Sequence, residues 1–87
     1  MQYIIAVFKS RTESYSFINI MRSYVKNIKI IATPKELNMP CGISIAFDVY
    51  NYNIALMLIS RRNFSSFSGM YKIIQTHNSI KILPAHF

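Results

Sequence analysis

From Tyr3 to Phe8 every residue is apolar (Tyr3-Ile4-Ile5-Ala6-Val7-Phe8), with no alternation between two faces. So short a run of β-branched and aromatic side chains predicts a strand covered on both sides, hence central in its sheet. Ser10-Arg11-Thr12-Glu13 follows and matches a capping box, in which the Ser hydroxyl and the Glu carboxylate each satisfy an orphan helical N–H. Phe17, Ile18, Met21 and Val25 then form an apolar helical stripe. Arg22 and Lys26 can point to water at the negative end of the helix dipole, and Asn27 is the predicted stop.

Ile28 to Thr33 predicts a second strand, closed by Pro34 because proline has no N–H for the ladder. Pro34 to Gly42 carries two prolines and one glycine in nine residues, with no helical or strand period, and predicts an ordered loop. Ile43, Ile45 and Phe47 alternate with Ser44 and Ala46, a strand with one large and one small face. Asp48 can cap the amphipathic helix predicted over Tyr50 to Arg62, whose apolar side is Ile54, Ala55, Leu58 and Ile59, flanked by Met57. Ser65 to Gly69 predicts a turn region and Met70 to Ile74 a fourth strand. The polar tail from Gln75 onward contains Ile80 to Pro84, a candidate short extra strand.

This βαββαβ order predicts an α+β fold of ferredoxin-like type, a four-stranded antiparallel sheet with two helices on one face. The helix-free face then needs a cover, because large contiguous apolar patches are rarely left exposed. The tail or a second subunit, in a homodimer through the sheet face, would supply it.

Eighty-seven residues suit one domain, read here as residues 1–74 followed by a C-terminal tail over 75–87. A composition of 52% hydrophobic and 15% charged residues excludes a disordered chain. The formal charge of +7 predicts an acidic partner. The uncharged stretch from Val49 to Ser60 is far shorter than the roughly 20 apolar residues that span a bilayer, so no membrane partner is expected. No basic segment precedes the opening apolar run, which is therefore read as a strand rather than a signal sequence. Cys41, the single cysteine, excludes an intramolecular disulfide and predicts a reducing, cytoplasmic setting.

Cys41 is the sharpest chemical candidate. It sits in the loop between two strands, with Pro40 to stiffen one side and Gly42 on the other to allow close approach or positive φ. Its thiolate would be the reactive form, favoured by Lys35 and the net positive field. The competing reading is a small buried hydrophobe, the usual fate of an unpaired cysteine. His77 and His86 both fall in the tail, so neither a catalytic triad nor a zinc site can be assembled, and no metal or other cofactor is expected. Glu13 and Asp48 are committed to helix caps, leaving Glu36 as the one free carboxylate and no acid/base pair. With only Gly42 and Gly69, no phosphate-cradling loop exists. The alternative function is a basic structural or nucleic-acid-binding module with an inert cysteine. It is the lesser reading, because Cys41-Gly42-Ile43-Ser44-Ile45-Ala46-Phe47 lacks the leading cation and puts Ile43 and Ile45 where an RNA-recognition strand carries stacking aromatics.

The stretch from Pro34-Lys35-Glu36-Leu37 through Pro40-Cys41-Gly42 into the alternating strand resembles the selenium/sulfur carrier protein-like family, small proteins long described only as a domain of unknown function. The opening strand, the Ser/Thr-rich helix start and Tyr71-Lys72-Ile73 fall where that family has them, so the resemblance covers about residues 2–74. It implies a carrier rather than an enzyme. Cys41 would hold a persulfide or perselenide, with Gly42, Pro34, Lys35, Glu36 and Pro40 shaping or binding the loop. The implied partners are a donor, such as a cysteine desulfurase or selenocysteine lyase, and an acceptor enzyme.

Overall fold

The computed structural model describes residues 1–40 and 42–85. Nine elements follow in order: β1 (Gln2–Phe8), α1 (Arg11–Met21), β2 (Ile28–Ala32), a 3-10 turn (Lys35–Leu37), β3 (Ile43–Phe47), a second 3-10 turn (Val49–Asn51), α2 (Tyr52–Arg61), β4 (Phe67–Gln75) and β5 (Ile80–Pro84). They build an α+β fold with two helices and one five-stranded antiparallel sheet, in the order β2-β3-β1-β4-β5. The expected four-stranded sheet is thereby corrected. The polar residues after Ile74 make a turn, with Thr76 N–H donating to Ser79 O at 2.9 Å, and Ile80–Pro84 pairs with β4 as a full edge strand.

β1 lies at the centre, as its double-faced apolar run requires. Ile4, Ala6 and Phe8 point with Ile45, Phe47 and Met70 into the core shared with Phe17, Ile18 and Met21 of α1 and Ala55 and Leu58 of α2, so both helices cover one face. Ile5 and Val7 point the other way. The alternation in β3 sorts as predicted, Ile45 and Phe47 to the helix side and Ser44 and Ala46 to the other.

Two expected element boundaries shift, one of a helix and one of a strand. α1 stops at Met21 rather than near Asn27, with Arg22 as its C-cap. The N–H groups of Tyr24 and Val25 both bond to Met21 O, at 2.9 and 2.8 Å, a tight turn that tucks Val25 into the core without helical continuation. β4 begins at Phe67, not Met70. Phe67 and Gly69, expected in a turn, pair with Phe8 and Val7 across a register irregularity, and Phe67 joins an aromatic cluster in which Phe8 lies 5.2 Å from both Phe17 and Phe64.

The capping box is only half formed. Ser10 Oγ accepts from Glu13 N–H at 3.3 Å, as expected. The Glu13 carboxylate reaches instead to the α2–β4 loop, accepting from the N–H groups of Ser65 and Ser66 at 3.1 and 2.7 Å and from both hydroxyls. Ser66 Oγ in turn accepts from Ser10 N–H at 3.1 Å, so one hydroxyl is inserted into the reciprocal contact. Those bonds, the Ser66 hydroxyl first, hold the Glu13 carboxyl below its ordinary value against a smaller opposing effect of desolvation.

Candidate functional site

The loop from Thr33 to Gly42 spans the hairpin between β2 and β3. Its two ends are tied where the ladder runs out. Thr33 N–H donates to Gly42 O at 3.0 Å, and the Thr33 and Ser44 hydroxyls share a 2.7 Å hydrogen bond. Ser44 is fully buried, so that bond is what satisfies a hydroxyl cut off from water.

Between these ends the loop folds back over the sheet. Pro34, half-buried with φ −57°, opens the 3-10 turn and accepts at its carbonyl from Leu37 N–H at 3.1 Å. Asn38 N–H bonds to Lys35 O at 3.0 Å, and Asn38 adopts φ 49°, ψ 47°. A left-handed residue at that point reverses the chain, and Asn tolerates the conformation better than other side chains with a Cβ. The reversal sends Leu37 and Met39 onto the helix-free face, where they pack with Ile5, Val7, Ala46 and Ile73. This loop and Ile82 of the tail, with Tyr3, Ile31 and Tyr71 around them, cover this part of the face, so the tail supplies some of the cover expected of it and the loop, which was not expected to, supplies the rest.

The site residues expected from the sequence then fall as follows. Pro34 starts the turn. The side chains of Lys35 and Glu36 are exposed and have no hydrogen-bond or ion-pair partner among the described residues, so neither ties the loop down. Pro40 and Gly42 are both exposed. Chain neighbours aside, no atom of the described residues lies within 4 Å of where a Cβ on Gly42 would sit. Among the described residues of this loop, the positive φ weighed for Gly42 is found at Asn38. Cys41 itself lies outside the described residues.

Leu37 entered the sequence reading only as the end of the Pro34 to Leu37 motif, and Met39, Thr33, Ser44 and Asn38 were not given a part in holding the loop, yet all five hold it. A signal for the first two was available: large apolar side chains in a proline-bounded loop, beside a sheet face with no assigned cover.

The rest of the helix-free face, at the Gln2 end of β1, opens into a cleft of about 380 Å³, with Ile31 and Ala46 in its wall and exposed Lys29 and Asp48 beside them. On β3 that face carries only Ser44 and Ala46. Ile43 and Ile45, the positions weighed for base stacking, lie on the opposite side of the strand from these two, with Ile45 in the core beneath the helices. Among the described residues no group of three His, Cys, Asp or Glu side chains could hold a metal ion, and no helix is long and apolar enough to cross a membrane.

No curated protein and no solved structure matches the chain. A family model does, that of the family described as "Putative Se/S carrier protein-like", over residues 3–72, from the first residues of β1 to the middle of β4. That span takes in the whole frame around the loop, and the chain belongs to this selenium/sulfur carrier protein-like family.

Proposed function

We propose that the protein is a carrier that holds sulfane sulfur or selenium on Cys41 and passes it between two enzymes. The observation that carries the reading is the family match across the loop that contains Cys41. The construction of that loop supports it. Its flanks are fixed on one side by Leu37 and Met39 on the sheet and on the other by the Thr33–Gly42 and Thr33–Ser44 hydrogen bonds, while Pro40 and Gly42 stay exposed. Anchored flanks with exposed neighbours suit a residue that must enter another protein's active site. The frame we take to be ferredoxin-like: β1 lies between β3 and β4, with β2 outside β3, and β5 is an addition to it.

The transfer needs no cofactor of the carrier's own. The Cys41 thiolate attacks the terminal sulfur of a donor persulfide. The donor's S–S bond breaks, its cysteine leaves as thiolate, and Cys41 becomes the persulfide. An acceptor nucleophile then takes the terminal atom and Cys41 leaves as thiolate. Selenium follows the same course, with a selenosulfide as the carried form. Donors of this chemistry are a cysteine desulfurase or a selenocysteine lyase, and the +7 charge suits an acidic docking surface on them. The setting is a reducing cytoplasm.

The test is intact-mass analysis after incubation with a desulfurase and cysteine. One added sulfur atom is expected on the protein and none on Cys41→Ala, with circular dichroism confirming that the variant is folded. Loading of Cys41→Ala, or no loading of the native chain by any sulfur or selenium donor, would refute the proposal.

A further inference from the structure

The sheet has two outer edges, β2 and β5, with closely similar sequences: Ile28-Lys29-Ile30-Ile31-Ala32 and Ile80-Lys81-Ile82-Leu83-Pro84. Their backbones differ in one decisive way. In an antiparallel ladder the residues that bond across to the neighbour alternate with residues whose N–H and C=O point away from it. Ala85 N–H donates to Met70 O and Thr76 N–H to Ser79 O, so in β5 it is Lys81 and Leu83 that face β4, and Ile80, Ile82 and Pro84 that face outward. Pro84 has no N–H, which removes a donor from that outward row and blunts the edge.

On β2 the Thr33 N–H to Gly42 O bond fixes the same phase: Lys29 and Ile31 bond toward β3, and Ile28, Ile30 and Ala32 turn their N–H and C=O groups outward. No proline and no bulge interrupts this row. Ile30 is 40% exposed beside it, high for an isoleucine of a sheet.

We infer that β2 is a dimerisation edge whose occupant is β2 of a second copy of this chain, antiparallel about a twofold axis at Ile30. That register is self-complementary on three counts. The pairs Ile28 with Ala32, Ile30 with Ile30, and Ala32 with Ile28 bring outward rows together and form about six interchain hydrogen bonds, two for each pair. All three pairs are apolar. Each Lys29 faces Ile31 of the other copy rather than the other Lys29, so like charges are not opposed. The axis stands perpendicular to the sheet, which leaves both loops that contain Cys41 outside the hydrogen-bonded edge, so the inference does not rest on the carrier proposal. One short strand pair buries less than the ~1,200 Å² of a stable interface, so the association belongs to the weak, transient class.

The test is sedimentation velocity on the full chain from about 10 µM to about 1 mM, with a thiol reductant present to remove any Cys41 disulfide dimer. Amide exchange is followed at both ends of that range. The expected result is a rise from the 10.1 kDa monomer toward twice that mass. Protection should be gained with concentration at the Ile28, Ile30 and Ala32 amides, while Lys29 and Ile31 are protected throughout. Ile30→Lys, which opposes two charges on the axis, should weaken association at least about tenfold; Leu83→Lys on the other edge should not. A monomer at every concentration, a dimer unaffected by Ile30→Lys, or a dimer without the alternating protection on β2 would overturn the inference. So would a chain that stays monomeric but gains that protection only from an added extended peptide.

Discussion

Truncating Leu37 to alanine tests whether the loop is a structural cover as well as a carrier of chemistry. Leu37 is half-buried against Ile5, Val7, Ala46 and Ile73, and the first two of these are fully buried. A Leu to Ala change removes about three methylene equivalents at roughly 0.8 kcal/mol each, or ~2.4 kcal/mol were the side chain fully buried. Half burial reduces that to about 1.2 kcal/mol, and the surface newly opened over Ile5 and Val7 adds a few tenths, giving about 1.5 kcal/mol. For a domain of this size that lowers the melting temperature by roughly 6–12 °C. The assay is urea unfolding, in which the midpoint should fall with the slope unchanged, together with amide exchange at Ile5 and Val7, which should accelerate only to the extent of the stability lost if opening there is global. A loss below about 0.3 kcal/mol would mean that Leu37 contributes no cover and that β1 is shielded by something else.

Acidification probes the other end of α1. Because Glu13 is held below its ordinary value of 4.5 by the Ser66 and Ser65 donors, its contribution is present above the unfolded value and is lost as pH falls through the folded one. Urea midpoints should therefore decline on going from about pH 5 downward, and Glu13→Gln should lose part of that slope; an identical slope in the variant would refute the assignment. At the loop base, Thr33→Val strands the buried Ser44 hydroxyl and should cost about 1–3 kcal/mol, whereas Ser44→Ala leaves a half-buried Thr33 that can reach water and should cost less; equal costs in chemical denaturation would show that the bond is not the reason. The two glycines should respond in opposite ways. Gly69→Ala forces a Cβ onto a residue with φ +141° and should cost about 1–3 kcal/mol, while Gly42→Ala, with no atom of the described residues near it beyond its chain neighbours, should stay within about 0.5 kcal/mol and leave persulfide loading measurable. Loss of stability in Gly42→Ala would place a neighbour where none is found among the described residues.

The local pattern along the chain was enough to determine that β1 is central, that β3 has a large and a small face, that Ser10 is an N-cap, and where both helices begin to within about two residues, although Asp48 caps the 3-10 turn ahead of α2 and not α2 itself. Each of these is a matter of a few adjacent residues: an unbroken apolar run, a period of two, a hydroxyl or carboxylate ahead of an apolar stripe. The family that the chain resembled is the one whose model matches residues 3–72. What the pattern did not determine involves partners distant in sequence. Glu13 looked committed to Ser10 and is instead bonded to Ser65 and Ser66, more than fifty residues away. Ile80 to Pro84 was legible as a candidate short extra strand, but an edge strand pairs on one side only and carries a weak signal, and nothing local said that β4 would be its partner. The helix-free face called for a cover from the tail or a second subunit, and Ile82 of the tail does pack there, but nothing in the composition of a loop says which way it folds. Only the reversal at Asn38, and the apolar surface waiting on β1, decided that Leu37 and Met39 would close it. Hydrophobic period is a property of neighbours along the chain, whereas cover, edge and cap partner are properties of neighbours in space. The tertiary structure alone supplies those.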